Sequence, residues 1–410
     1  MSNSVSNIES ENILPEDLST PSIFISDIIY KILLHLAPNT YDVQYHHEGF
    51  KDIYQCLYIN RQWCCQTISF LWRQPFNPPK GGFCQRQFCV LMSFLSPSRV
   101  ASLRSEHNID LQQSLLYGGN SGNKPIFYYP AYIKYLNYGD LLRVVHTFIV
   151  TTDAKPLTAS PAMIDALLHT FVEYGAKLNF LEFKGGNSLY LSNYLILTQE
   201  KLIPFFSETK KLDLSRASNK SELILYFSVV CQHLTTISIK IQDSDYRNNS
   251  QDINTEIIKN TAQLIRAQKG LRKLTICSIN DKGINEILDS LHTQTRTLLY
   301  LKFYDVDFSE AVSWNTIAEC ENLESFVLHS CRNNSMRLWK SMIKKDALPR
   351  LKYVVPGRIT SYNNPELRQW MWQRSLVDQL FLEESLSVIK IDNDKLPENI
   401  LSDIKKLSMF

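Results

Sequence analysis

The chain has 410 residues, with 43 lysines and arginines against 41 aspartates and glutamates, and 44% of its residues are hydrophobic. This composition is that of an ordinary globular protein, and it excludes disorder as the state of the whole chain. The near balance of charge excludes nucleic-acid binding through bulk positive charge, although a local basic patch is compatible with it. At roughly 150 residues per domain, the length predicts two or three domains, or one elongated array.

The sequence also bears on the compartment. No apolar run approaches the ~18 residues that a membrane-spanning helix needs, so we expect no membrane contact. The first eleven residues are polar and lack lysine and arginine, unlike a secretory signal. Nine cysteines without such a signal predict free thiols in a reducing compartment. The expected location is therefore the cytoplasm, the nucleus or both.

In chain order, residues 1–22 are rich in Ser, Asn and Glu and predict a disordered lead-in. Residues 23–76 predict three helices, the first with Ser26 as its N-cap. Prolines and glycines then mark a boundary, and residues 77–130 predict a linker that contains helices. From 131 to 410, short β-branched or aromatic runs alternate with amphipathic helices. The clearest of these helices has Ser160 at the cap, Pro161 in the first turn and Gly175 at the end.

This last region contains a repeated motif, apolar-x-x-apolar-x-apolar, after the predicted helices. Its copies start at residues 178, 209, 234, 271, 298, 323 and 348, and outlying candidates start at Ile133 and Leu386. One strand plus one helix is too small to bury its own apolar face, so stacked units are predicted to share a core. The pattern resembles irregular leucine-rich repeats, which implies an α/β solenoid. The alternative is an ordinary open α/β domain.

The stretch before the repeats carries a more specific pattern. It opens with FISDIIYKILLHL over residues 24–36, continues with Lys51-Asp52-Ile53 and Asn60-Arg61-Gln62-Trp63, and closes with Leu71-Trp72-Arg73. In order and spacing this resembles an F-box, although Ile25 stands where that family has proline. The resemblance implies a three-helix unit that docks a Skp-family adaptor and, through it, a cullin. The repeats that follow would then hold the substrate.

The resemblance assigns residues to two roles. The adaptor-binding residues are expected on the first helix and are Phe24, Ile25, Ile28, Ile29, Ile32, Leu33 and Leu36. Of these, Phe24, Ile25, Ile29 and Leu33 are expected to contribute most to the partner face. The expected core residues of the F-box are Leu57, Ile59, Trp63, Leu71 and Trp72.

The predicted strands also suggest a substrate surface. Side chains alternate between the two faces of a strand, so the residues between the inward apolar positions should line the open face. The seven motif copies that start between residues 178 and 348 give 21 such positions, three in each copy. Seven of them are Lys or Arg and two are acidic. The predicted substrate-binding residues are Lys184, Lys211, Lys240, Lys273, Tyr300, Lys302, Tyr304, His329, Arg350 and Lys352. We expect them to receive an acidic or phosphorylated segment of a target protein.

No catalytic or metal-binding pattern stands out. The glycine-rich stretch 118–124 lacks the spacing of a phosphate-binding loop, and no Cys-x-x-Cys pair occurs. We therefore expect that the chain is not an enzyme and that it binds no cofactor and no metal. The predicted function is that of a substrate-recognition subunit of a cullin-based ubiquitin ligase. The alternatives are a leucine-rich-repeat scaffold without a ligase role and a nucleic-acid-binding repeat protein.

Overall fold

The structure is a computed structural model that describes most of the chain between residues 21 and 355. The described ranges are 21–36, 47–76, 83–109, 111, 126–152, 154–183, 196–217, 220–241, 251–279, 283–312, 314–333, 339–340, 342 and 348–355. Within these ranges, no helix is both long and apolar enough to cross a membrane. The predicted lead-in up to residue 20 and the motif candidate at Leu386 lie outside them.

Short helices and short strands make up the described residues. The helices are α1 (Pro21–Leu36), α2 (His47–Cys56), α3 (Arg61–Leu71), α4 (Phe83–Met92), α5 (Pro97–His107), α6 (Tyr138–Val150), α7 (Pro156–Glu173), α8 (Ile203–Phe206), α9 (Ser221–Val230), α10 (Gln251–Arg266), α11 (Ile284–Ser290) and α12 (Asn315–Ala318). The strands are β1 (Tyr135–Asn137), β2 (Phe180–Glu182), β3 (Lys211–Leu214), β4 (Thr236–Lys240), β5 (Lys273–Ile279), β6 (Tyr300–Val306), β7 (Ser325–His329) and β8 (Tyr353–Val355). Short 3-10 helices occupy Tyr129–Tyr132, Glu200–Leu202 and Leu291–Gln294.

The eight strands form one parallel sheet whose order follows the chain from β1 to β8. One row of paired apolar side chains crosses the whole sheet and is buried throughout. It consists of Leu136, Leu181, Leu212, Ile237, Leu274, Leu301, Phe326 and Val354. In β3 and β4, buried residues alternate with half-buried ones, so one face of these strands packs into the core and the other is partly open to solvent. We call that second face of the sheet the open face, although its residues in β1 and β8 include buried ones. The predicted α/β class is confirmed.

The motif copies account for the strands, with one correction. Ile133, an outlying candidate start, is buried and precedes β1. In the last copy, the motif places Leu351 and Tyr353 inward, and alternation then places Val354 on the open face. Instead Val354 lies opposite the buried Phe326, while Tyr353 lies opposite Ser325. The motif places Leu351 opposite Phe326, so the strand is displaced by three residues, and any odd displacement exchanges the two faces of a strand. The predicted register of this copy is therefore wrong.

A series of backbone carbonyls joins each unit to the next. The carbonyl of Lys134 accepts hydrogen bonds from the amides of Asn179 and Phe180, and the same double contact recurs before every later strand. The first carbonyl of the series is that of Arg73, which accepts from Lys134 at 3.0 Å and from Tyr135 at 2.9 Å. The segment after α3 therefore supplies the first step of the array.

Helices α1, α2 and α3 pack around a small core of their own. Its buried members are Ile29, Leu33, Ile53, Cys56 and Phe70. Helix α1 begins at Pro21, so the expected N-cap, Ser26, lies inside the helix. Its hydroxyl accepts a hydrogen bond from the Gln62 side chain of α3 at 3.4 Å, which is a contact between helices.

The large core spans the rest of the described chain. Helices α4 and α5, which fall in the range expected to be a linker, contribute Phe88, Leu91 and Leu103 to it. Helix α7 begins at Pro156, so Ser160 and Pro161 lie inside it and the predicted start is wrong. A second proline at the N-terminus, Pro156, begins the helix one turn earlier. The predicted end at Gly175 is confirmed by the left-handed φ of 73°.

Candidate protein-binding surfaces

Helix α1 divides its apolar residues between the small core and the solvent. Ile29 and Leu33 are buried, which corrects the expectation that they contribute most to a partner face. Ile28 and Ile32 lie one helical turn apart and are 41% and 38% exposed. Leu36 is half-buried against the core, and the side chains of Phe24 and Ile25 lie outside the described residues. We call Ile28 and Ile32 the α1 patch.

The neighbouring faces of α1 explain why this patch stays open. Tyr30 packs edge-on against Phe70 of α3, with ring centroids 6.2 Å apart. The Arg73 guanidinium donates to the Tyr30 hydroxyl at 3.2 Å and lies 4.9 Å from the Phe70 ring centroid. Helical geometry rotates Ile28 and Ile32 away from both this contact and the Ile29 face. The α1 patch is therefore a pair of accessible aliphatic side chains one turn apart, and the exposed Leu34 lies on another face of the helix.

The expected F-box core residues fall in three environments. Trp63 and Leu71 pack against the small core, and Leu57 is half-buried. Ile59 is 57% exposed because it lies in the turn between α2 and α3, so its assignment to the core is wrong. Trp72 packs against the large core instead and stacks on Tyr129, with ring centroids 4.3 Å apart. It thus holds the three-helix unit against the array.

The open face of the sheet consists of rows of paired side chains. The first row is Tyr135, Phe180, Lys211, Thr236, Lys273, Tyr300, Ser325 and Tyr353. The second row is Asn137, Glu182, Asp213, Ser238, Thr275, Lys302, Val327 and Val355. A third, shorter row contains Lys240, Cys277, Tyr304 and His329.

Most of the predicted substrate residues lie in these rows. They are Lys211, Lys240, Lys273, Tyr300, Lys302, Tyr304 and His329. Lys184 lies outside the described residues. Arg350 and Lys352 precede β8, and Lys352 pairs with Glu324 at 3.2 Å, so their placement on the strand is wrong. The cause is the shifted register of the last motif copy.

Polar groups near β1 and β2 form hydrogen bonds with one another, and no sequence motif predicts these contacts. Tyr135 donates a hydrogen bond to the buried Glu182. Asn137 donates to Asp140 at 2.7 Å, and Arg143 pairs with Asp140 at 2.6 Å. Burial raises the pKa of Asp140 to about 6, against the opposing effect of the Arg143 guanidinium. Carboxylates therefore dominate this end of the open face.

Lysines dominate the middle of the same face. Burial raises the pKa of the Cys277 thiol in β5, and nearby Lys302, Lys240 and Lys220 act against that rise. Three ammonium groups from different units therefore act on one point of the open face. The Asp213 carboxylate raises the pKa of the same thiol.

Aromatic groups border this lysine-rich region toward β7. Tyr304 stacks on His329 with centroids 4.8 Å apart and planes inclined by 14°. The Lys302 ammonium lies 6.0 Å from the centroid of the Tyr304 ring. Strand pairing brings these side chains together from two neighbouring units.

Comparisons of the chain with protein-family models, with curated proteins and with solved structures found no match. The features that bear on function are therefore the α1 patch, the junction at Arg73 and the open face.

Proposed function

We propose that this chain is a substrate-recognition subunit of a cullin-based ubiquitin ligase. In this proposal residues 23–76 act as an F-box that docks a Skp-family adaptor. The strand–helix units act as an irregular leucine-rich-repeat solenoid that binds a target protein in the cytoplasm or nucleus. The observation that carries the proposal is the exposed α1 patch on a small helical unit joined directly to a parallel array.

The α1 patch suits docking by a helix. Two aliphatic side chains one turn apart on the surface of a small bundle leave apolar area in water. Covering such area with a partner helix is a common mode of recognition. Neither isoleucine belongs to the core of the three-helix unit, so the unit does not need these two side chains for its internal packing.

The junction supports a recognition role because it limits movement between the two parts. The Arg73 carbonyl accepts hydrogen bonds from two amides at the start of the array, and Trp72 stacks on Tyr129. Backbone and aromatic contacts together fix the three-helix unit to the first strand. A target on the open face would then keep a constant position relative to a docked adaptor.

The test is co-purification of the adaptor with a chain that carries Ile28→Asp and Ile32→Asp. Both side chains are exposed in the free chain, so the new carboxylates stay hydrated until a partner covers them. Burying them in an apolar contact should cost several kcal/mol, or roughly a thousandfold in affinity. The matched control is Leu34→Asp with Ile59→Asp, which changes two exposed apolar residues of the same unit. Adaptor binding that survives in the α1-patch variant would refute the proposed docking surface.

A further inference from the structure

Small side chains form a floor in the middle of the open face. Ser238 of β4 lies opposite Thr275 of β5, and Thr275 lies opposite Lys302 of β6. Lys273 precedes Thr275 by two residues on the same face, and Lys240 follows Ser238 by two. The short hydroxyl side chains thus lie lower than the lysines around them. We call these five residues the lysine cradle.

The dimensions of the cradle suit a compact anion. Neighbouring strands are about 4.8 Å apart, and alternate residues of one strand are about 6.7 Å apart. The Cα atoms of Lys240, Lys273 and Lys302 therefore lie within about 14 Å of one another across β4 to β6. Lysine carries its charge on a flexible four-carbon stem, so the three ammonium groups can converge on one ligand.

The electrostatic field agrees with this geometry. Lys220 is buried at the N-cap of α9, where its ammonium donates to the Ala217 carbonyl at 3.1 Å. Together with Lys240 and Lys302, it lowers the pKa of the Cys277 thiol against the effect of burial. A buried ammonium beside the cradle adds positive potential that solvent screens less than it screens surface lysines. The cradle is therefore more positive than its exposed side chains alone suggest.

The flanks of the cradle restrict the size of that anion. Toward β1 lie the carboxylates of Asp140, Glu182 and Asp213. Toward β8 the second row ends in Val327 and Val355. A long polyanion that lay across the strands would pass Asp213 or Val327, whereas a single anionic side chain would not.

We propose that the lysine cradle binds a phosphorylated serine or threonine in an extended segment of a target protein. The phosphate carries nearly two charges and three acceptor oxygens, enough for the lysines and for the hydroxyls of Ser238 and Thr275. A glutamate at the same place offers one charge and two oxygens and binds more weakly. Tyr300 and Tyr304 lie beside the cradle and contact the residues that flank the phosphate. This inference names the target chemistry of the proposed function and rests on that function.

The experiment measures direct binding to the full purified chain without any adaptor. The probe is a fluorescein-labelled peptide pool with a fixed central phosphoserine and randomised flanks, followed by fluorescence anisotropy. Matched pools carry serine or glutamate at the centre. We expect the phosphoserine pool to bind about tenfold more tightly than the glutamate pool, and the serine pool not to bind. Because no adaptor is present, the result is independent of the test of the α1 patch.

Two variants locate the binding. Lys273→Glu with Lys302→Glu should abolish binding of the phosphoserine pool, and the milder Lys273→Gln with Lys302→Gln should weaken it. The control is Lys259→Glu with Lys269→Glu, which makes the same charge change at exposed positions in α10 and just after it. Circular dichroism and thermal unfolding check the fold of each variant.

Three results would overturn the inference. One is equal binding of the phosphoserine and serine pools, or no binding of either. The second is unchanged affinity in the folded Lys273→Gln and Lys302→Gln variant. The third is displacement of the peptide by a random single-stranded RNA at lower concentration than by the unlabelled phosphoserine pool, which would assign the face to nucleic acid.

Discussion

The side-chain amide of Gln294 donates a hydrogen bond to the backbone carbonyl of Gln268 at 2.8 Å, and both glutamines are buried. The Gln268 side-chain oxygen accepts from the amide of Leu234 at 2.9 Å, and that of Gln294 accepts from the amide of Leu271 at 3.2 Å. Each glutamine therefore supplies a hydrogen-bond partner to the turn between helix and strand in the preceding unit. Buried backbone groups need such partners, and here a neighbouring unit supplies them.

We expect Gln294→Leu to destabilise the array. The substitution leaves the Leu271 amide and the carbonyls of Ile265 and Gln268 without their side-chain partner. An unsatisfied buried group costs about 1–3 kcal/mol, so the free energy of unfolding should fall by about 3 kcal/mol or more. Urea unfolding followed by far-UV circular dichroism measures it. The exposed Gln263→Leu on α10 is the control and should change it by less than about 1 kcal/mol.

Leu274→Ala tests whether the strand–helix units share one core. Leu274 is fully buried between Ile237 and Leu301 in the inward row. A buried leucine truncated to alanine loses about 2–5 kcal/mol, and a shared core should spread the loss over the whole array. We expect a single urea transition with a lower midpoint. A midpoint equal to that of the parent, or a transition split in two, would contradict the shared core.

Two glycines near α10 and α11 allow a matched comparison. Gly283 has a φ of 103°, and an added Cβ would lie 2.5 Å from Cδ1 of Ile258. Gly270 has nothing within 4 Å of the same position. We expect Gly283→Ala to lower the free energy of unfolding by more than about 1 kcal/mol, through backbone strain and the clash. Gly270→Ala should change it by less, and equal losses in thermal unfolding would contradict the geometry at Gly283.

The raised pKa of Asp140 predicts that the stability of the fold depends on pH. Its pKa rises from 3.8 to about 6 on folding, chiefly through burial, so the folded state binds this proton more tightly than the unfolded state. The contribution is favourable at pH 4 and is lost as the pH rises through 6. Between pH 4 and pH 7, the stability of the parent should fall relative to that of Asp140→Asn by roughly 2–3 kcal/mol. Parallel stability curves in urea across this range would show that the Asp140 pKa is not raised.

Most of the sheet could be predicted because its signal is local. Each strand follows an apolar motif, and alternation along the strand then assigns residues such as Lys273 and Lys302 to the open face. The position of the last strand was predicted wrongly because a local motif does not determine how a strand pairs. Leu348, Leu351 and Tyr353 match the motif, but the pairing of Val354 with Phe326 places β8 three residues further along the chain than that match predicts.

The first helix shows the limit of such local patterns. Ile28, Ile29, Ile32 and Leu33 all fit an apolar face of a helix, and the sequence cannot tell which pair turns toward the other helices. Packing of α1 against α3 turns Ile29 and Leu33 inward and leaves Ile28 and Ile32 in water. The relation between the F-box-like pattern and adaptor docking stays a prediction until the α1 patch is tested.

The amino-acid sequence by itself determined the α/β class, the motif copies that become strands, and the side chains that alternate with them. These depend on hydrophobic period and local geometry, which neighbours in sequence express. Only the tertiary structure decided that the Arg73 carbonyl begins the array, that Glu182 bonds to Tyr135, and that lysines from separate units surround Ser238 and Thr275. Such contacts join residues tens of positions apart, and they arise only when stacking of the units places one strand beside the next.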